Sequence, residues 1–177
     1  MNAAQRALTT EEFLAWERSQ PDRYEFDGTQ PVAMTGGTPA HAGIAAAVIA
    51  ALFNRLRPPC RVFTGDLKVL TAGGRVRYPD VTVACGPVDA DGDVIVPVVV
   101  FEVMSPSSAL TDRRVKLAEY AGTASIMAYV LLDQQRPEGS VFRRAGDWRE
   151  ERTQGAGAVL ALPEIGVEMP LAAIYPG

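Results

Sequence analysis

The feature that most constrains this chain is a short apolar run with one acid inside it. Pro97-Val-Val-Val-Phe-Glu-Val-Met104 is apolar except for Glu102. A continuous run of this kind reads as a strand buried on both faces, the central strand of a layered sheet. Such a strand needs packing layers above and below it, which implies a mixed α/β or α+β fold. An ionised carboxylate in that setting is costly unless a cation or strong donors meet it. Asp80 repeats the pattern, because it follows Pro79 and opens a second apolar run, Val81-Thr-Val-Ala84. Two acids on two sheet strands, with a lysine on a helix beyond them, point to a divalent-metal hydrolytic site.

Composition narrows the metal and the compartment. The 177 residues are read as one domain, 1–177, long enough to bury a real core. No run of about 18 apolar residues exists, so no transmembrane helix is expected. The opening residues lack the apolar segment of a signal peptide, and the expectation is a cytoplasmic protein. Cys60 and Cys85 are not in a C-x-x-C arrangement and are expected to be two small buried or half-buried thiols. With one histidine in the chain, a zinc cage is short of ligands. The expected cofactor is therefore a hard, oxygen-ligated cation, Mg2+ or Mn2+. A net charge of −4 and a pI near 5.1 give no general basic field for nucleic acid, though a local arginine patch can act alone.

The chain punctuates clearly. Thr9 or Thr10 caps a helix that ends before Pro21. Asp27-Gly28 marks a hairpin between Arg23–Asp27 and Thr29–Met34. Thr38-Pro39 opens a long helix with Ile44, Val48, Leu52 and Leu56 on one stripe, ended by Pro58-Pro59. Strands are expected over Arg61–Leu70, Val76–Ala84, Val94–Met104 and Ile126–Leu132, with a helix over Thr111–Ala121. The tail reads as short strands, with Val141–Arg144 and Trp148–Arg152 as a hairpin and Ala158–Leu162 beyond it.

Five segments in this order carry a resemblance: Tyr24-Glu-Phe-Asp-Gly28, Tyr78-Pro-Asp-Val81, Phe101-Glu-Val-Met-Ser-Pro106, Asp112-Arg113 with Lys116-Leu117, and Tyr129-Val-Leu-Leu-Asp133. Together they resemble the Uma-type family of restriction-endonuclease-like proteins, a branch of the PD-(D/E)XK nuclease superfamily. The resemblance runs from about Thr10 to Tyr175. It implies a restriction-endonuclease-like core, a central mixed β-sheet flanked by helices, here with extra C-terminal β-hairpins. It also implies a metal-dependent endonuclease acting on DNA. Asp80 and Glu102 match the two metal-binding acids, and Glu25 matches an earlier acid. The usual lysine position, two residues after the second acid, holds Met104, and Lys116 on the following helix is the substitute. Homodimerisation is implied by analogy with related nucleases.

In this reading Asp80, Glu102 and the Val103 carbonyl bind the metal, and Lys116 holds the nucleophilic water or offsets charge on the phosphate. His41, Arg113 and Arg114 are candidates for substrate phosphate. Each has a plainer rival. Asp80 could be a turn residue, Glu102 the acid of a buried ion pair with an arginine such as Arg113, and Lys116 a solvated helix lysine. Glu25 could be half of a cross-hairpin pair, and His41 a residue that only caps and packs. The competing function is a nuclease-fold protein without catalysis, acting as a binding or scaffold module. A serine hydrolase built on Ser105 or Ser107 lacks a G-x-S-x-G elbow.

Overall fold

A computed structural model describes residues 6–34, 36–105 and 111–175. Pro106 and Ser107 lie outside the described residues. Helix α1 (Thr10–Glu17) starts at a capping box, in which Thr9 Oγ1 accepts from the Glu12 N–H and Glu12 Oε2 accepts from the Thr9 N–H. A hairpin of β1 (Tyr24–Phe26) and β2 (Pro31–Ala33) follows, turning at Asp27-Gly28. Gly28 has φ +96°, a left-handed conformation that favours glycine. Helix α2 (Pro39–Phe53) is capped by Thr38, whose side chain accepts from the His41 N–H, with Pro39 in the first turn.

The expected strand over Arg61–Leu70 divides in two, β3 (Arg61–Thr64) and β4 (Val69–Leu70), which belong to different sheets. The expected return strand also divides, into β5 (Val76–Arg77) and β6 (Val81–Ala84). The break is Tyr78-Pro79-Asp80, where proline removes a ladder N–H. Gly65 packs against the same break. A Cβ placed on Gly65 would sit 3.1 Å from the Pro79 carbonyl oxygen.

Strand β7 (Val99–Met104) is buried at every position, as the apolar run requires, and starts after Pro97 rather than at Val94. Strand β8 (Ala128–Asp133) lies parallel to it. A parallel pair needs a crossover. Here it includes a wide π-helical turn, Asp112–Lys116, and helix α3 (Leu117–Gly122) in place of one continuous α-helix. The tail hairpin is longer than expected: β9 (Glu138–Arg143) pairs with β10 (Glu150–Gln154). Strands β11 (Val159–Leu162) and β12 (Val167–Pro170) form a second hairpin, followed by α4 (Leu171–Ile174). β12 and α4 carry no strong periodic signal and were not anticipated.

The main sheet has the order β10-β9-β8-β7-β6-β3, mixed through its parallel β7–β8 pair. One face packs on α2, α4 and the β11–β12 hairpin, with Ile44, Val48, Leu52, Phe101, Val130 and Met169 in contact. The other face buries Val100, Tyr120, Ile126, Tyr129 and Phe142. The second sheet, β2-β1-β5-β4, packs Phe26 and Val76 on Phe13 of α1. Among the described residues no helix is long and apolar enough to cross a membrane.

The two cysteines are not free thiols. Register pairs Arg61 with Ala84, which sets Cys60 beside Cys85, and the two form a disulfide linking the ends of β3 and β6. Sequence spacing alone carried no sign of this, because the contact depends on the antiparallel register.

Candidate active site

The break before β6 and the end of β7 bring two acids to one cavity of about 450 Å³. Register pairs Val81 with Phe101, so Asp80 and Glu102 occupy the next opposed positions. Asp80 Oδ2 accepts from the Val103 N–H at 2.7 Å and lies 3.1 Å from His41 Nε2. Both contacts fall on Oδ2, so Oδ1 keeps its lone pairs among the described residues. Glu102 is 5% exposed, and its Oε1 accepts from Lys116 Nζ at 2.8 Å and from the Tyr120 hydroxyl at 3.1 Å.

Lys116 reaches the strand acids despite the fourteen residues separating it from Glu102. The wide turn before α3 ends on this lysine and aims it inward. Lys116 also lies 3.6 Å from Glu25 Oε1. Glu25 is therefore in the site, held from β1 by the Tyr78 N–H at 3.3 Å and by Arg77 at 3.0 Å.

Behind this front row lies a buried support that the sequence reading missed. Arg77 is 4% exposed and makes a two-pronged pair with Glu119, both hydrogen bonds 2.7 Å. Burial alone would lower the arginine pKa, but the hydrogen bonds and charges of Glu119 and Glu25 outweigh it and hold the guanidinium firmly charged. Tyr120 is fully buried, and burial together with the Glu102 charge keeps its phenol protonated well above the ordinary range. It serves as a neutral donor. The signal available in sequence was the helical spacing of Lys116, Glu119 and Tyr120, which places polar groups on the buried side of α3.

The other candidates divide. His41 lines the cavity, so it does more than cap and pack. Gly37 lies tight against it, since a Cβ there would sit 3.0 Å from His41 Nδ1. Arg113 does not pair with Glu102. It pairs with Glu150 at 2.7 Å, outside the acid cavity. Arg114 is exposed and lines neither this cavity nor its neighbour. Ser105 lines the cavity wall, whereas Tyr24 packs edge-on against Trp16 elsewhere.

The donor set suits a hard cation. Among the described residues no three His, Cys, Asp or Glu side chains form a ready-made metal cage. Magnesium does not need one, because it retains waters and binds through one or two carboxylates. The Val103 carbonyl fits as a further oxygen. Its N–H points to Asp80, and a strand residue turns its carbonyl to the same side. The register places Pro79 opposite, and proline has no N–H to occupy that carbonyl.

A mixed sheet flanked by helices, with acids at the ends of two adjacent strands, has the form of a nuclease fold. The chain belongs to the Uma2 family, whose model is described as "Putative restriction endonuclease" and matches residues 10–172. An "Uncharacterized protein", slr1290 of Synechocystis sp., is 31% identical over 176 residues, covering 96% of this chain and 92% of the relative. The fold is that of a crystal structure from Anabaena variabilis, described as a "putative nuclease belonging to DUF820", with a TM-score of 0.72 at 18% identity. That likeness covers 94% of this chain and 97% of the other.

Proposed function

We propose that this protein is a divalent-metal-dependent endonuclease hydrolysing phosphodiester bonds in DNA. The observation that supports it most is the convergence of Asp80, Glu102 and the buried Lys116 on one cavity. Asp80, Glu102 and the Val103 carbonyl would hold Mg2+ or Mn2+. The cation would supply positive charge on the phosphate oxygens and a more acidic water.

The chain's own groups have separate tasks. Lys116 stands beside Glu102, where its ammonium offsets the negative charge that grows on the phosphate or holds the attacking water. Glu25 holds Lys116 from the far side, and Arg77 with Glu119 fixes Glu25. The Val103 N–H and His41 orient the Asp80 carboxylate. A pair of copies, one per DNA strand, is the assembly we favour for double-strand cutting.

A second reading has its own support. Lys116 on Glu102 and His41 on Asp80 already occupy the acids, as a non-catalytic binding module would allow. Titration of Mg2+ and Mn2+ into wild type and Glu102→Ala, with plasmid nicking by both, separates the readings. The nuclease reading expects wild-type binding and nicking, and a loss of nicking on the order of a thousandfold in the variant. Metal binding by wild type without nicking of any DNA would favour the binding module. No metal binding would remove the metal mechanism.

A further inference from the structure

Beside the acid cavity lies a second cavity of about 320 Å³, and Ser105 and Gln134 line both. The two differ in charge. Glu25, Asp80 and Glu102 face the first, against Lys116. Arg113, Arg136 and Arg152 face the second, against Asp133 and Glu138. The acids of the second cavity are already engaged. Asp133 Oδ1 accepts the N–H groups of Gln135 and Arg136, as a turn cap. Glu138 is 7% exposed and accepts from Arg152 Nε on one oxygen and from Gln154 on the other.

The arginines keep capacity. A guanidinium has five N–H donors. Arg136 is 70% exposed and has one long contact of 3.5 Å, to Asp133. Arg113 spends Nη1 on Glu150, and Arg152 is half exposed beyond its pair with Glu138. The Arg113–Glu150 and Arg136–Asp133 pairs are partly open to solvent, where ion pairs are weak, and Arg152 keeps half of its side chain exposed beside its bond to the buried Glu138. Three arginines from separate elements, the π turn, the β8–β9 turn and β10, thus surround one space.

We propose that this second cavity is the path of the cut strand, and that Arg113, Arg136 and Arg152 bind backbone phosphates beside the one held at the acids. The inference rests on the nuclease reading for the position of the scissile phosphate. It assigns the flanking phosphates to a surface that net charge would not reveal, because the chain as a whole is acidic.

The test uses a fluorescent single-stranded DNA oligonucleotide of about a dozen nucleotides, titrated in Ca2+ at several salt concentrations. Wild type is compared with Arg136→Gln, with Arg113→Gln/Arg136→Gln, and with Arg57→Gln, which removes an exposed arginine outside both cavities. The expected result is an affinity loss on the order of fivefold for Arg136→Gln and a larger loss for the double variant. The slope of log affinity against log salt should fall by about 0.7 for each phosphate contact removed. Arg57→Gln should match wild type. Equal losses from Arg57→Gln and Arg136→Gln would reduce the effect to net charge and overturn the proposal. So would wild-type slopes in both cavity variants, or no oligonucleotide binding by wild type. Arginine-dependent binding of DNA that is never cut in Mg2+ would uphold the path while removing the hydrolytic reading.

Discussion

Two buried lysines in this molecule each meet two acids and each line a cavity, of about 450 Å³ at Lys116 and about 400 Å³ at Lys68, but only the first cavity brings together acids from adjacent strands of the main sheet. Lys116 joins Glu102 and Glu25. Lys68, 3% exposed, joins Glu17 and Asp93. Tyr78 connects the two clusters, its N–H donating to Glu25 and its hydroxyl to Glu17 at 2.8 Å. What separates them is the source of the acids. Glu17 comes from a helix end and Asp93 from a loop, and Lys68 with Tyr78 ties them to the second sheet. Glu102 and Asp80 come from adjacent strands in register, beside a main-chain carbonyl whose opposite residue is a proline. A buried lysine with acids is therefore no site by itself; the geometry around the acids decides.

The sharpest break in this comparison is Lys68→Met against Lys116→Met. Removing one partner of a buried ion pair costs about 3–5 kcal/mol, because the remaining charge is uncompensated. Both variants should lose stability in chelator. Saturating Mg2+ should restore about 2–3 kcal/mol to Lys116→Met, because the cation replaces the lost positive charge beside Glu102. It should restore no more to Lys68→Met than it adds to wild type. Urea unfolding with and without Mg2+ reads both, and equal metal responses of the two variants would erase the distinction.

A smaller effect is expected at Gly65. A Cβ there meets the Pro79 carbonyl at 3.1 Å, so Gly65→Ala should push the Tyr78-Pro79-Asp80 break by a few tenths of an ångström. The expected outcome is Mg2+ affinity several-fold weaker, with the unfolding midpoint little changed. A wild-type metal isotherm would show that Asp80 tolerates the shift.

The smallest effect concerns the residue that joins the clusters. Burial pushes the Tyr78 phenol from near 10 up to about 12, and its hydrogen bond to Glu17 adds to the shift. A raised pKa means that the folded state holds the proton longer than the unfolded chain. The contribution is thus complete below about pH 10 and disappears as pH rises through about 12. Wild-type stability should fall more steeply than that of Tyr78→Phe between these values. Parallel slopes from thermal melts would show that the phenol is not linked to folding.

Much of the candidate site was legible because its residues break local patterns. Glu102 stands out from an apolar strand, Asp80 follows a proline at a strand start, and Lys116 follows in a helical segment. The fold's centre was legible because β7 and β8 are apolar runs apart from Glu102 and the terminal Asp133. The splitting of two expected strands was not, because Thr64–Lys68 and Tyr78–Asp80 still look extended in sequence, and only tertiary pairing sends their halves to different sheets. Arg77 and Glu119 were invisible as a pair, being forty-two residues apart and each ordinary in its own segment. The part played by His41 depended on where α2 lies over β6, which no periodicity reports.

The Cys60–Cys85 bond has a consequence for bookkeeping along the sheet. A strand that slips by one residue turns every side chain to the opposite face. Strand β3 is an outer strand and would be among the easiest to misalign, yet its first residue is adjacent to a covalent link to β6, the strand that follows Asp80. The link acts as a ruler fixed at one end of β6. It holds the register of β3 against β6, the strand that Asp80 precedes, so the outer edge of the sheet beside that acid is pinned by a sulfur bridge at the other end of the same strand.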